Sequence, residues 1–187
     1  MIDFTRERFW KSFWVALGKE VKNIAKREGF SYWGIPKEEQ IRSALYAHIR
    51  KYGGYAEIES DFPPKNGKRP TGEADLRVLG GKEQLLIEIK RAFALKTWQN
   101  GYPEALGKFK TDIEKLNKMK KVYAKSKPTH KCFFLVVFFD SDKLFERVKR
   151  KEINDYIQKE WGNFLKIELA TFKFGTNCCR GYVWVER

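Results

Sequence analysis

The hydrophobic positions along the chain follow two different periods. From Thr5 to Glu28 the apolar residues Phe9, Phe13, Trp14, Leu17, Val21 and Ile24 recur mostly at three- and four-residue spacing, which predicts an amphipathic helix with an aromatic face. That face reads as core or as a dimer contact. After the break SYWGIP, with Pro36 where a helix can start, a second helix over 37–52 stacks Ile41, Ala44, Leu45, His48 and Ile49 and stops at Gly53-Gly54. The period then drops to two. Strands are predicted over 55–62, Glu73–Leu79 and Gln84–Ala92; the loop PPKNGKRPTG separates the first two, and Gly80-Gly81 gives a hairpin signal between the last two. A helix over 104–124 turns Phe109, Ile113, Leu116 and Tyr123 inward, and the run CFFLVVFF at 132–139 reads as a strand buried on both faces. A helix over 143–161 and strands over 164–174 and 181–186 complete the pattern. The fold class is therefore α/β (α+β), a mixed sheet flanked by helices. At 187 residues, without repeats or an evident linker, the chain reads as a single domain: a helical extension over 1–35, a core over 36–140, and a C-terminal helix with strands over 141–187.

The most strand-like segment contains a puzzle. In Leu85-Leu86-Ile87-Glu88-Ile89-Lys90 the side chains of Leu85, Ile87 and Ile89 share one face, so Glu88 and Lys90 are neighbours on the other. Burying an unpaired charge costs several kcal/mol, and something must offset both. An exposed ion pair on an edge strand is the plain explanation. Asp75, 13 residues upstream of Glu88, changes the picture, because the Gly-Gly hairpin can lay its strand beside that of Glu88. Two carboxylates next to each other resist joint ionisation unless a cation sits between them. A hard divalent ion such as Mg²⁺, held by one or two carboxylates plus water and a phosphate, would resolve the conflict.

Composition points to a partner of the same kind. The net charge of +14 exceeds what solubility needs and implies a polyanion: nucleic acid first, with an acidic membrane surface or a ribosome-like assembly as rivals. Nine lysines between Lys108 and Lys131 stand against Asp112 and Glu114, a local balance of +7. Lys108, Lys110, Lys115 and Lys118 on the predicted helix, and Lys65, Lys68 and Arg69 in the Pro-rich loop, are candidate phosphate contacts, with a solvated lysine face as the plain alternative. Trp10, Trp14 and Trp33 can stack on bases or simply pack. Three cysteines, two of them adjacent, are not a disulfide framework and fit a reducing, cytoplasmic location. Charges at Arg6, Glu7, Arg8 and Lys11 interrupt the N-terminal apolar residues, so no signal peptide is expected, and no run is long enough to span a bilayer. His48 on an apolar helix face and His130 in a basic loop do not make a metal-ligand spacing, which argues against histidine-centred and zinc chemistry.

Asp75 followed by Glu88-Ile89-Lys90, an E-X-K strand, resembles the PD-(D/E)XK nuclease superfamily, also called restriction-endonuclease-like. The order of elements from about 37 to 140 is similar to that family's core, although Ala74 stands where the motif's proline would be. The resemblance implies a metal-dependent deoxyribonuclease, most simply an endonuclease, in which Asp75, Glu88 and the Ile89 carbonyl hold Mg²⁺, with Mn²⁺ able to substitute. It implies that Lys90 orients or deprotonates the attacking water. Relatives often add a glutamate from the first core helix, and Glu38, on the stripe of Ile41 and Leu45, is the candidate; a first-turn acid favoured by the helix dipole is the alternative. DNA is the implied partner, a homodimer would supply paired cuts, and a nucleic-acid-binding module that kept the scaffold without catalysis is the rival reading.

Overall fold

The computed structural model describes residues 3, 6–28, 37–58, 74–80, 83–93, 102–123, 129–139, 143–174 and 177–187. In chain order these form α1 (Glu7–Glu28), α2 (Glu38–Lys51), β1 (Tyr55–Ile58), β2 (Leu76–Gly80), β3 (Glu83–Phe93), α3 (Tyr102–Tyr123), β4 (Thr129–Phe139), α4 (Lys143–Trp161), β5 (Phe164–Phe174) and β6 (Asn177–Glu186). The strands make one mixed sheet in the order β1-β2-β3-β4-β6-β5. β3 and β4 run parallel and the other neighbours antiparallel. A parallel pair cannot be joined by a tight turn, and α3 carries the crossover between them.

Alternation along the central strands builds two cores. Phe133, Leu135 and Val137 of β4 join Leu85, Ile87 and Ile89 of β3 on the face covered by α1 and α2. Cys132, Phe134, Val136 and Phe138 join Leu86 on the opposite face, under α3 and α4. β4 is thus buried on both sides, as its unbroken apolar run requires.

Phe9, Trp10, Phe13, Trp14, Leu17 and Val21 of α1 are all buried within the first core. The aromatic face that offered itself for a dimer or for base stacking is consumed by the chain's own packing. Trp33 lies outside the described residues, as do residues 59–62 of the first predicted strand. His48 is a core histidine, as its apolar face suggested: Ser12 Oγ lies 2.9 Å from its Nε2 and Phe9 and Phe13 pack on its ring. His130 is not in a loop but begins β4, where it is buried and its Nε2 lies 2.9 Å from Gln84 Oε1. Among the described residues no helix is long and apolar enough to cross a membrane.

Trp14 also explains a glycine in the middle of β6. Its indole N–H donates to the Ala170 carbonyl and its ring lies across Gly181, where an added Cβ would meet Trp14 at 2.7 Å and Leu169 at 2.8 Å. Gly181→Ala is expected to cost about 1–3 kcal/mol through overpacking, read as a lower urea midpoint with an unchanged slope.

Candidate active site

β2 is shorter than the sequence suggested, and the site follows from that. Asp75 was expected inside the strand; it lies in a bend just before Leu76. β2 pairs Leu76 with Ile87, so among the described residues β3 runs on from Glu88 to Phe93 with β4 on one side and no strand on the other. The backbone groups facing that notch need partners. Two carboxylates supply them: the Ile89 N–H donates to Asp75 Oδ2 at 2.7 Å and the Arg91 N–H donates to Glu38 Oε1 at 2.9 Å. A strand residue directs its N–H and C=O to the same side, so the Ile89 carbonyl faces the notch as well.

Extending the β2–β3 register by one residue places Asp75 opposite Glu88, with their side chains on the same face. Lys90, two residues on, shares it. Its ammonium lies 3.6 Å from Glu88 Oε1, 3.7 Å from Glu38 Oε2 and 3.3 Å from Asp112 Oδ2. Asp75, Glu88, Ile89, Lys90 and Glu38 are therefore brought together at the notch.

Three further residues join them. Arg42, one turn beyond Glu38 on α2, reaches Asp75 Oδ1 at 3.4 Å. Asp112 and Lys115 come from α3. Lys115 was expected among the surface lysines, but its ammonium lies 2.7 Å from Glu88 Oε2 and 3.9 Å from Asp112 Oδ1. The signal for Asp112 was present in the sequence: it shares the stripe of Phe109, Ile113 and Leu116, an odd place for an acid on a lysine-rich helix. Lys115, three residues later, then falls on the same side.

Lys108 and Lys118 are exposed on α3, and helical spacing puts them one turn to either side of Asp112 and Lys115. Lys110 is also exposed but turns to α4, its Nζ 5.5 Å from the centre of the Tyr156 ring. Lys65, Lys68 and Arg69 lie outside the described residues.

The electrostatics of the notch are those of an acid excess. Among the described residues Glu38, Asp75, Glu88 and Asp112 stand against Lys90, Lys115 and Arg42, four carboxylates to three cations. Glu88, only 2% exposed, is pushed up to about 8 by burial and then by the charge of Asp75, against the pull of Lys115. Burial also raises Asp75, which the Ile89 N–H, Lys90, Lys115 and Arg42 oppose, and it raises Asp112 against Lys90 and Lys115. Burial works against the charge on Lys90, but Asp112, Glu38, Glu88 and Asp75 outweigh it and hold the ammonium above its ordinary range. Lys90 is therefore held as an ammonium in this arrangement.

These residues fit a hard divalent ion. Glu88 Oε2 and Asp112 Oδ2 are buried, accept no well-aligned hydrogen bond, and each faces an ammonium instead. Two carboxylates and a carbonyl leave positions for water and phosphate, as Mg²⁺ prefers. Among the described residues no group of three His, Cys, Asp or Glu side chains is arranged to hold a metal, so a larger all-protein cage is not on offer. Cys132 is buried in the core; Cys178 and Cys179 have no second cysteine pair to complete a zinc site. No family model, curated protein or solved structure matches this chain.

Proposed function

We propose that the protein is a metal-dependent nuclease that hydrolyses DNA phosphodiester bonds at the notch, with residues 36–140 forming a restriction-endonuclease-like core. One observation carries the reading: Asp75 is held to the Ile89 N–H, next to Glu88 and close enough for their charges to interact, with the Lys90 ammonium 3.6 Å from Glu88, where β3 runs on past the described end of β2. The element order α2, β1, β2, β3, α3, β4 supports it.

Asp75, Glu88 and the Ile89 carbonyl would hold Mg²⁺, or Mn²⁺ in its place. Once bound, the ion supplies Lewis-acid stabilisation of charge on the phosphate and acidifies a water. The chain does the rest. Asp75 is fixed by the Ile89 N–H and Arg42, so its carboxylate is positioned before any ion arrives. Glu38 and Asp112 hold the Lys90 ammonium over the site, where it orients the water and offsets negative charge developing on the phosphate. Lys108 and Lys118 flank the notch and would bind backbone phosphates without reading sequence.

Plasmid DNA incubated with the protein and Mg²⁺ tests the proposal. Nicking or linearisation that a chelator abolishes is the expected result. DNA binding with no cleavage in any condition would overturn it and favour a non-catalytic binding module, in which Asp75 and Glu38 only cap the notch as Glu186 caps the Cys132 N–H elsewhere in the sheet. Replacing Lys108 and Lys118 by alanine is expected to weaken DNA binding for all sequences alike. The slope of log affinity against log salt should fall by about 2, close to one for each phosphate no longer neutralised. Lys110→Ala should change it less.

A further inference from the structure

Each oxygen of the Glu88 carboxylate is claimed by an ammonium. Lys90 lies 3.6 Å from Oε1 and Lys115 lies 2.7 Å from Oε2. A divalent ion and two ammonium groups on one carboxylate compete for its charge, and the cations repel one another across a few ångströms of low-dielectric interior. The lysine with fewer other partners is the one to yield.

The geometry around the two lysines decides which. Lys90 belongs to β3, whose backbone is locked in register with β4, and it has Glu38 and Asp112 within 3.7 Å as well as Glu88. Losing Glu88 leaves it two carboxylates. Lys115 has Glu88 as its close partner and Asp112 only at 3.9 Å. It stands on α3 beside the exposed Lys118 and is itself 20% exposed, so its four-carbon stem can carry the ammonium out to solvent.

We propose that Lys115 is a built-in counter-ion for Glu88 which a divalent cation displaces, so that this single side chain sets the metal affinity of the site. The inference rests on the nuclease reading of the notch and adds a residue outside the E-X-K strand. In the absence of metal Lys115 keeps a buried carboxylate paired, and when metal enters it is the group that leaves. The arrangement opposes occupancy at low metal concentration.

Calorimetric titration of Mn²⁺ into the protein without nucleic acid tests this directly. Lys115→Met is expected to bind Mn²⁺ roughly tenfold or more tightly than the unmodified chain, the ratio that about 1.4 kcal/mol produces. Lys115→Arg, which keeps the charge, should not tighten binding. Lys115→Gln keeps a hydrogen-bond donor for Glu88 without the charge and should tighten it as methionine does, so the test survives if the methionine variant folds poorly. In melting curves, Mn²⁺ should raise the midpoint of the methionine and glutamine variants by more than that of the unmodified chain. Equal or weaker Mn²⁺ affinity in both neutral variants, with the unmodified chain still binding Mn²⁺, would overturn the role of Lys115 and leave the nuclease reading standing. Absence of Mn²⁺ binding in every form would remove both.

Discussion

Lys90→Ala is expected to lower Mg²⁺-supported DNA cleavage roughly 10²- to 10³-fold, the usual cost of removing one preorganised charge-stabilising group, while DNA affinity is largely retained. The argument is geometric. Lys90 lies against three of the notch's carboxylates, at 3.3, 3.6 and 3.7 Å, so its ammonium sits at the centre of the charge cluster. Its burden is electrostatic rather than basic, because the surrounding acids hold its proton in place. Lys90→Arg should therefore recover part of the rate, limited by the planar fork of the guanidinium, which does not match a point charge among three carboxylates. A residue that acted as the base would not be rescued by arginine at all. Asp75→Asn should show a loss of similar size, since asparagine can still accept from the Ile89 N–H but withdraws the charge opposite Glu88. Cleavage at an unchanged rate in both variants would place the chemistry elsewhere in the chain. Melting curves guard against misfolding, and retained DNA binding separates lost chemistry from lost affinity.

Much of this site was legible because strands alternate. The two-residue step from Glu88 to Lys90 and the Gly-Gly hairpin that returns Asp75 to Glu88 are both local features, and the fold preserves both. Glu38 was legible for a similar reason, as a helix repeats its faces every three to four residues. The early end of β2 was not. The sequence EADLRVL keeps its alternation through Asp75, and nothing local says that pairing stops at Leu76. Beyond that stop two β3 amides are taken by side chains far away in sequence, the Ile89 N–H by Asp75 and the Arg91 N–H by Glu38 of α2. Lys115 was hidden for a different reason. In a run of nine lysines each looks alike, and only the position of Asp112 on the buried stripe marks which of them turns inward. The parallel pairing of β3 and β4 is likewise a matter of long-range packing, since CFFLVVFF would be buried on both faces in either direction.

The same acid excess that suits the notch to a metal ion makes it a burden on the folded chain, and Glu88→Gln exposes this. Glu88 has an ordinary value of 4.5 when unfolded and about 8 when folded. Between those values the folded chain holds a proton that the unfolded chain has released, so raising the pH favours unfolding. The stability Glu88 contributes is complete below about 4.5 and is lost as the pH rises through about 8. Glutamine has the same shape and no proton to lose. Against that gain, Lys115 loses its closest partner at every pH, so the expected result is a shift in the difference: between pH 5 and pH 8 the glutamine variant should gain on the unmodified chain by on the order of 1–3 kcal/mol. Urea unfolding from pH 5 to 8.5 measures it. Asp75 and Asp112, also raised by burial, add a similar decline, while His48 and His130, lowered by burial, add a rise through the histidine range. Groups that titrate alike in both proteins cancel in the difference, so the gap between them should open as the pH rises. Mn²⁺ should narrow that gap by stabilising the unmodified chain alone, because a bound divalent ion lowers the proton affinity of Glu88 and the glutamine variant offers it no carboxylate there. A difference between the two proteins that stays constant from pH 5 to 8.5 would mean that Lys115 holds Glu88 ionised throughout that range and that burial does not make Glu88 a burden on the fold.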